Sequence, residues 1–591
     1  MKAVLIDNSD NTFSFLKNDN IEIISFPRPS FGTGEEEFDI DIFIVERFIE
    51  PILSQMKFDV LIIPYSVTDN FIEFVGLRIA CHVRLSNLFG DIKNCPIIFI
   101  GNESPWIISR LTPLSNILNI EGSYWCRLEP EKLKELTDKD ANEFLGLRDR
   151  NTFLNRLKIE PPANYNSHHN VANEFALLRW SEYLKCDTKI PEVKRNLKAK
   201  LYFNYLKSLN PVVPHPSSVP YLIKGRAKVL LIDDEADKGW AKFYEHFFNF
   251  SPNIKFHSFS FDFKFHSREE IISEAMKFVE GNFNPDIVLL DLRLNDEDFK
   301  RDQKPEDLTG YQILQKIKGF NKGIQVIITT ASNKVWNYES TLEIGANGYI
   351  IKGIYSNVEE DIKNLRLIIE KGIIKATILK DIANRFSNII DVANKSIESE
   401  EFKKSIISNL EISYKLLEES FITPKYINYS YLQLFLIAEE FLKQNFVFEE
   451  GHNCYVIDKD QRFLVLKLKI GKEDEFESAI HFVGGHYSIG QSNFTKKYLN
   501  SNFKMSAVLL FKYGCSTSGA KDWTKIYKTR NEKAAHPEIG LVDLDEYRML
   551  VSFLEYILDF NNCNPTDISH ALTMPTLEEQ RDMLKAHWGA K

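Results

Sequence analysis

The sequence predicts a multidomain protein in which two doubly wound parallel α/β sheets are followed by a mainly α-helical C-terminal region. Two observations support this fold class. Short, continuous apolar runs alternate with polar helical stretches in residues 1–145 and again in residues 225–372, as expected of parallel strands that are buried on both faces. Beyond residue 372, apolar residues recur every three or four positions, which is the period of an α-helix.

The chain has 591 residues, 44% of them apolar, and this is enough for several buried cores. The proline-rich stretch "NPVVPHPSSVP" (210–220) ends a pair of probable helices and is typical of a linker. We therefore expect an α/β domain over 1–145, a helical connector and linker over 146–224, a second α/β domain over 225–372, a helical domain with a β-hairpin insert over 373–565, and a tail over 566–591.

Charge and composition exclude some classes of protein. A net charge of −10 argues against a chain that coats nucleic acid non-specifically, because phosphate neutralisation needs a broad basic face. No apolar stretch approaches the roughly 20 residues of a membrane-spanning helix, so we expect a cytoplasmic protein without a membrane partner. The seven cysteines lie far apart without zinc-binding spacing, and we expect them to be reduced.

Three carboxylates follow predicted strands of the second α/β block. Asp233 and Asp234 come after "VLLI", and Asp291 comes after "IVLL". The carboxyl ends of the strands form the ligand crevice of an open parallel sheet, so these acids should converge there. Clustered carboxylates repel one another unless a cation lies among them, and Mg²⁺ prefers oxygen ligands. Thr330 and Lys352 end the next two strands.

This pattern resembles the receiver domain of response regulators over residues 225–372: an acidic pair, a lone Asp, a Thr before an Ala, and a Lys. The resemblance implies that Asp233, Asp234, Asp291 and the backbone of Arg293 hold Mg²⁺. It also implies that Asp291 takes a phosphoryl group from a histidine kinase or phosphotransfer protein. The alternative is that Asp233 and Asp234 merely cap a helix.

The same resemblance assigns three switch residues. Thr330 and Lys352 would bind the phosphoryl oxygens, and Tyr349 would be the aromatic residue that turns inward in the active state. Two features depart from the family. Gly353 stands where the family usually has proline, and the loop "NDEDFKRDQKPEDLTG" after Asp291 is longer than usual, which affects the surface where a kinase would dock.

The first α/β block has lost most of this chemistry. It keeps Asp7 but has Asn8 in place of a second acid, and Pro64 stands where the phosphorylated Asp would lie. No lysine ends a fifth strand in "EGSYWCRLEP". The block resembles a degenerate receiver that acts as a docking or dimerising module, and the alternative is an unrelated α/β domain.

The segment "KTRNEKAAHPE" (528–538) places Arg530, Asn531 and His536 just before the last predicted helix, which begins with a capping-box pair, Asp543 and Glu546. Residues six apart do not share one helix face, so Arg530 and His536 can meet only through a bend or across a two-fold dimer. For RNA cleavage without a metal, histidine suits proton transfer and arginine suits a charged phosphorane. Asn531 would orient either side chain.

This segment resembles the HEPN superfamily, whose nucleases carry an Arg, a following polar residue and a His a few residues later. The resemblance implies a homodimeric, metal-independent endoribonuclease with no cofactor at this site. Lys525, Lys528 and Lys533 are candidate RNA contacts. With Trp523 and Tyr527 they form a basic and aromatic neighbourhood that would hold a phosphate backbone and stack a base, and the alternative for the lysines is a solvated helix face.

The sequence therefore favours a phosphorylation-controlled response regulator with an RNA-cleaving output, in antiphage defence or stress-induced growth arrest. Two alternatives stay open. One is a non-enzymatic signalling adaptor that binds a partner through its helical C-terminus, and the other is a HEPN-like domain that acts on a nucleotide. No recognisable motif identifies the kinase or the RNA target, and none indicates whether phosphorylation activates or restrains the output.

Overall fold

The structure is a computed structural model. It describes residues 2–558 apart from 9–12, 18–19, 29–37, 69, 130, 133–134, 136–143, 162–167, 217–221, 282, 301–302, 332–334, 354–355, 450–452, 459–460 and 514–516. The predicted tail over 566–591 lies outside the described residues. The chain divides into two compact units, Met1–Lys316 with Val326–Ile373, and Ile317–Gln325 with Ile374–Lys591.

The first block of the first unit is a five-stranded parallel sheet with the order β2-β1-β3-β4-β5. This order has the topological switch of doubly wound folds, with crossovers on both faces. The central strands are apolar and fully buried, as the continuous apolar runs predict. The elements are β1 (Ala3–Asp7), β2 (Ile21–Ser25), α1 (Ile40–Ile44), β3 (Val60–Pro64), α2 (Val75–Leu85), β4 (Ile97–Gly101), α3 (Pro105–Ile108) and β5 (Ser123–Arg127).

Among the described residues, three α-helices and a π-helical turn (Val193–Leu197) follow the first sheet; the α-helices are α4 (Arg150–Arg156), α5 (His168–Tyr183) and α6 (Leu201–Leu209). The second block then repeats the doubly wound order as β7-β6-β8-β9-β10. Its elements are β6 (Ala227–Ile232), α7 (Trp240–Phe248), β7 (Ile254–Ser258), α8 (Arg268–Glu280), β8 (Ile287–Leu290), α9 (Thr309–Phe320), β9 (Gln325–Thr330), α10 (Val335–Glu343), β10 (Gly348–Ile351) and α11 (Val358–Ser396).

The helices between the two sheets belong to the two cores rather than to a separate spacer. Phe153 and Leu157, in and just after α4, and Leu201 of α6 join the core of the first block. Helix α5 contributes side chains around most of its circumference to the core of the second block, among them Phe175 and Trp180. A helix that is apolar on most sides must be buried, and α5 fills that role here.

The long loop after Asp291 is held by one buried side chain, Asp298. Its carboxylate accepts hydrogen bonds from the backbone N–H groups of Leu294 (3.0 Å), Asn295 (3.2 Å) and Thr309 (3.2 Å). It also pairs with Arg268 Nη2 at 3.0 Å, which ties the loop to the start of α8. Asp298 is fully buried, and its hydrogen bonds fix the shape of the loop beside the carboxyl end of β8.

We expect Asp298→Ala to lower the free energy of unfolding of the first unit by about 2–3 kcal/mol, because it leaves several buried N–H groups without their acceptor and removes the nearest carboxylate from the half-buried Arg268 guanidinium. Urea denaturation followed by tryptophan fluorescence measures this loss. Asp296→Ala is the matched control, since Asp296 is exposed in the same loop. Equal loss in the two variants would contradict the role of Asp298.

The second unit is helical with an inserted sheet. Its helices are the C-terminal part of α11, then α12 (Glu400–Glu419), α13 (Tyr426–Asn445), α14 (Ser501–Phe511), α15 (Thr517–Thr529) and α16 (Leu544–Leu558). Asp543 and Glu546 form the expected capping box of α16, with N···O distances of 2.8 and 2.9 Å. The apolar stripe of α16 packs into the core of this unit.

The insert is larger than the predicted hairpin. The hairpin over 452–471 is present as two strands, but they belong to a five-stranded antiparallel sheet with the order β11-β12-β13-β14-β15. Gly484 and Gly485 both have positive φ and form the tight turn of its last hairpin. The strands are β11 (Phe446–Phe448), β12 (Cys454–Asp458), β13 (Gln461–Leu468), β14 (Glu475–Val483) and β15 (His486–Thr495).

Among the described residues, no helix combines the length and the apolar character needed to cross a membrane.

Candidate functional site

The second block brings three acidic side chains together at the carboxyl ends of its strands. Asp233 and Asp234 follow β6, and Asp291 follows the neighbouring strand β8. One carboxylate oxygen from each lies within 4.8 Å of the others. Asp233 and Asp291 are each only 1% exposed, and Asp234 is half-buried. Three carboxylates this close need positive charge nearby.

Lys352 supplies part of that charge. Its Nζ donates to Asp233 Oδ2 at 2.7 Å and lies 3.6 Å from Asp291 Oδ2, and the side chain is fully buried. The ammonium also lies 4.4 Å from the centre of the Trp240 ring. Burial works to lower the pKa of Lys352, but the carboxylates of Asp233 and Asp291 outweigh it and raise the pKa. Lys352 therefore carries its charge at neutral pH.

The pKa values of two of the acids are also raised, which in a carboxyl group favours the neutral form. Burial, and next to it the charges of Asp233 and Asp291, raise the pKa of Asp234 well above its ordinary value. Burial also raises the pKa of Asp233, against the lowering effect of Lys352. The pocket therefore holds more negative charge than one lysine balances, which is the electrostatic condition for binding a divalent cation.

Asp291 is oriented by the backbone around it. Its Oδ1 accepts hydrogen bonds from the N–H groups of Leu292 (2.6 Å) and Arg293 (3.3 Å). Helix α9 approaches so closely that a Cβ on Gly310 would lie 2.1 Å from the carbonyl oxygen of Asp291. Only glycine fits at position 310, and this contact keeps the end of β8 against the start of α9.

The three residues assigned to switching lie at the next two strands. Thr330 is buried at the end of β9, and its carbonyl accepts the N–H of Lys352 at 2.8 Å. Tyr349 lies on β10, half-buried, with its ring edge-to-face against Tyr338 of α10 at 5.3 Å between centroids. Thr330 and Lys352 thus end neighbouring strands on the side of the sheet where the acids lie.

The donor set fits Mg²⁺. Asp233, Asp234 and Asp291 offer hard carboxylate oxygens, and no histidine or cysteine joins this cluster among the residues that the structure describes. Among the described residues, no other group of three or more acids, cysteines or histidines brings its ligand atoms close enough together to hold one metal ion.

We expect Mg²⁺ to stabilise the first unit, and to do so more strongly at neutral than at acid pH. The raised pKa of Asp234 means that the folded state binds more protons than the unfolded chain, so stability falls as pH rises from 3.8 through the raised pKa. A cation offsets this loss because it binds the ionised acids. At a hundred times its Kd, Mg²⁺ should add about 2.7 kcal/mol.

Thermal unfolding with and without Mg²⁺, at pH 7 and near the ordinary carboxyl pKa, measures this effect. Glu269→Ala removes an exposed acid of α8 in the same block, and as the control it should gain as much stability from Mg²⁺ as the wild type. An Asp234→Ala variant that gains as much from Mg²⁺ as the wild type would contradict the assignment.

The candidate site of the second unit lies at the end of α15. A π-helical turn, Arg530–Ala534, closes this helix, and His536 follows it. Arg530 Nη1 donates to Asn531 Oδ1 at 2.9 Å, and its guanidinium lies 5.6 Å from the centre of the Phe435 ring. The His536 side chain is 55% exposed, with Nδ1 3.3 Å from Glu538 Oε1.

The proposed RNA-contacting lysines all have acidic neighbours. Lys525 lies 3.4 Å from Asp522, Lys528 lies 3.8 Å from Glu532, and Lys533 donates to Glu546 at 2.7 Å. This surface therefore has mixed charge rather than a basic patch.

Trp523 does not offer a stacking platform. It is fully buried between Phe435 and Phe553, with ring centroids at 5.3 and 5.0 Å. The expectation that it stacks a base is wrong, because its apolar ring completes the core that α13, α15 and α16 share.

One residue that the sequence did not reveal positions the His536 segment. Asn428 of α13 is fully buried, and its Nδ2 donates to the carbonyls of Lys533 (2.9 Å) and Gly540 (2.8 Å). Its Oδ1 accepts the N–H of Val542 at 2.9 Å. A single amide thus fixes both ends of the segment that carries His536. No local motif marks Asn428, because its partners lie more than a hundred residues away.

In the first block, the equivalent pocket is filled. Asp7 uses both carboxylate oxygens on backbone N–H groups, those of Asn8 and Phe13, each at 2.8 Å. The ring of Tyr65, which follows Pro64, is 1% exposed and lies so close that a Cβ on Gly101 would be 2.4 Å from it. An aromatic side chain therefore occupies the space beside the ends of β3 and β4.

Comparison with known families agrees with this loss. Residues 12–126 match the family model described as Inactive Receiver domain. The match covers the sheet from β2 to β5 and supports the expectation of a degenerate receiver. The chain thus carries a receiver-type parallel α/β sheet at its N-terminus and a helical region at its C-terminus. No curated protein matches the chain.

Solved structures similar to the chain include the signal receiver domain of a putative Luxo repressor protein from Vibrio parahaemolyticus (20% identity, 25% of this chain and 95% of that chain, TM-score 0.19). They also include the receiver domain of the Francisella response regulator 1452 (24% identity, 25% and 98%, TM-score 0.18). The Mn²⁺-bound form of response regulator Rcp1 is a third (22% identity, 24% and 91%, TM-score 0.18). Likenesses of this size carry no argument about function.

Proposed function

We propose that the second α/β block accepts a phosphoryl group on Asp291, from a histidine kinase or a phosphotransfer protein. The observation that carries this proposal is the pocket itself: a buried ammonium, Lys352, lies 2.7 Å from Asp233 and 3.6 Å from Asp291. Asp234 completes the acidic cluster. Simple helix capping by Asp233 and Asp234 leaves the buried Lys352 and Asp291 without a role.

In this proposal, a carboxylate oxygen of Asp291 attacks the phosphorus of phosphohistidine. The new P–O bond forms as the P–N bond breaks, and the imidazole nitrogen keeps that electron pair and takes a proton. Lys352 and the Thr330 hydroxyl receive the phosphoryl oxygens. Asp233, Asp234, Asp291 and the backbone of Arg293 would hold Mg²⁺, which when bound would supply positive charge beside the transferring group.

Treatment of the purified chain with acetyl phosphate and Mg²⁺ tests the proposal. The wild type should take up one acid-stable, hydroxylamine-labile phosphoryl group, seen as a shift in a phosphate-affinity gel. Loss of the shift on removal of Mg²⁺ is the internal control. A wild-type protein that stays unmodified with several phosphodonors would overturn the proposal.

We further propose that the second unit cleaves RNA without a metal, with Arg530, Asn531 and His536 at its site. Two features support this reading. Arg530 is held by Asn531 and by the Phe435 ring, and His536 stays solvent-accessible on a segment that Asn428 fixes. His536 would move the proton, and Arg530 would stabilise the phosphorane. A second copy of the chain would complete the site, as the HEPN resemblance implies.

We expect Arg530→Ala and His536→Ala each to slow cleavage of labelled RNA by about 100-fold or more, because each removes a group that acts in the transition state. Arg462→Ala and His486→Ala are matched controls in the inserted sheet of the same unit. The assay contains a chelator for divalent metals.

Absence of cleavage on several RNAs, with and without prior phosphodonor treatment, would contradict the nuclease proposal. In that case the non-enzymatic adaptor becomes the better account, and release of product from a nucleotide substrate would instead support the second alternative, a HEPN-like domain that acts on a nucleotide. The phosphodonor arm also shows whether phosphorylation activates or restrains the output.

A further inference from the structure

Helix α5, which precedes the second block in the chain, lies against the phosphoacceptor pocket. The indole of Trp180 on α5 meets the Trp240 ring edge-to-face, with centroids 5.4 Å apart and planes at 89°. The Trp240 ring in turn faces the Lys352 ammonium at 4.4 Å. All three side chains are buried at 1% exposure or less, so Trp180 and Lys352 are separated by a single ring.

The neighbouring residue, Arg179, holds the backbone that follows Lys352. Its Nη2 donates to the carbonyl of Ser356 at 2.6 Å, and its Nη1 donates to the carbonyl of Gly353 at 3.4 Å. Ser356 Oγ is hydrogen-bonded to Asp361 at 2.5 Å, which links this contact to the first turn of α11. Gly353 lacks a Cβ and has wide backbone freedom, so an external anchor is needed to fix the segment.

Two consecutive residues of α5 therefore act on Lys352 from two sides. Trp180 supports the ring that faces the ammonium, and Arg179 anchors the backbone directly after it. A shift of α5 would disturb the position of Lys352 beside Asp233 and Asp291, because the contacts from Trp180 through Trp240 to Lys352 are buried and closely packed.

Helix α5 also packs towards the first block. Phe175 of α5 stacks on Phe203 of α6, with ring centroids 6.3 Å apart and planes at 14°. Two residues before Phe203, Leu201 is buried in the core of the first block, and its N–H lies 3.4 Å from Asp41 Oδ2 of α1. A continuous series of buried contacts thus runs from the inactive first sheet through α6 and α5 to Lys352.

We propose that α5 is a positioning element for the phosphoacceptor site, through which the inactive first block sets how readily Asp291 gains and loses its phosphoryl group. Arg179 and Trp180 are the positioning residues. The inference rests on the proposed phosphorylation of Asp291. It gives the first block, which has no phosphoacceptor of its own, a regulatory role within the same chain.

The test compares the full-length wild type with Arg179→Lys and Trp180→Phe. Lysine keeps the charge but cannot span two carbonyls, and phenylalanine keeps an apolar ring of smaller reach. Lys189→Gln is the control, since Lys189 is exposed, follows α5 in the chain and has no part in the contacts between α5, α6 and the pocket described above. Far-UV circular dichroism and thermal unfolding verify that each variant is folded.

Two readouts are followed. The first is the rate of phosphoryl uptake from acetyl phosphate and of its loss, and we expect at least about a fivefold change in one of these rates for both variants, the lower end of ordinary coupling between sites. The second is tryptophan fluorescence during titration with Mg²⁺ and beryllofluoride. Trp240→Phe should remove most of the fluorescence change, and Arg179→Lys should shift the midpoint of the titration.

The outcomes separate the two proposals. A wild type that takes up no phosphoryl group refutes the phosphoacceptor itself. A wild type that is phosphorylated, together with folded Arg179→Lys and Trp180→Phe variants whose rates and titrations equal those of Lys189→Gln, refutes the role of α5 alone. A change confined to the two α5 variants supports it.

Discussion

Replacement of Asp291 by Asn is expected to abolish phosphoryl uptake by the whole chain. Asparagine keeps the size of the side chain and can still accept the Leu292 N–H, so the end of β8 should stay in place. It has no carboxylate oxygen to attack phosphorus, and the acyl phosphate cannot form. Because the nucleophile itself is lost, residual uptake should be undetectable in the phosphate-affinity gel. Far-UV circular dichroism should match the wild type.

Asp7→Asn is the matched comparison in the first block. Asp7 ends the parallel strand β1 and is fully buried, but both its carboxylate oxygens accept hydrogen bonds from backbone N–H groups, those of Asn8 and Phe13. This variant should be phosphorylated as fully as the wild type, at some cost in stability. Loss of uptake in Asp7→Asn with retention in Asp291→Asn would reverse the assignment of the two blocks.

Replacement of Lys352 by Met should have the largest effect on stability. Methionine fills a similar volume but removes the ammonium from between Asp233 and Asp291, and breaking a buried ion pair costs about 3–5 kcal/mol. The loss should be greatest at neutral pH, where the acids are ionised, and Mg²⁺ should restore part of it. Urea denaturation of the first unit at pH 7, with and without Mg²⁺, measures both effects.

Lys242→Met is the control for this experiment. Lys242 lies on α7 near Trp240, but its ammonium is paired with Glu192 at 2.8 Å on the surface. Exposed pairs contribute about 0–1 kcal/mol, so this variant should be close to the wild type. If Lys352→Met lost no more stability than Lys242→Met, Lys352 would not be the counter-charge of the acidic pocket.

The sequence predicted the two α/β blocks because their signals are local. The apolar runs before Asp233, Asp291 and Thr330 are long enough to mark buried strands, and the residue that follows each run is then placed by topology alone. The inactive character of the first block followed in the same way from Asn8 and Pro64. The capping box before α16 is likewise a four-residue pattern.

What the sequence did not predict depends on contacts between distant segments. Arg179 and Trp180 were part of an ordinary helical pattern, and only the fold places them beside Lys352, more than 170 residues further on. The predicted hairpin corresponds to β12 and β13, whereas β14 and β15 were not predicted as strands, because serines and Gly490 interrupt the alternation of apolar and polar residues there. Trp523 was expected at the surface because its neighbours in the chain are lysines.

The measurement that tests the central claim most directly is the location of the phosphoryl group in the wild-type chain. After acetyl phosphate and Mg²⁺, reduction with borohydride converts an aspartyl phosphate into homoserine, which peptide mass spectrometry locates. Conversion of Asp291, with Asp7, Asp233 and Asp234 unchanged, is the predicted result. Conversion at another aspartate, or at none while a control receiver is labelled under the same conditions, would contradict the account.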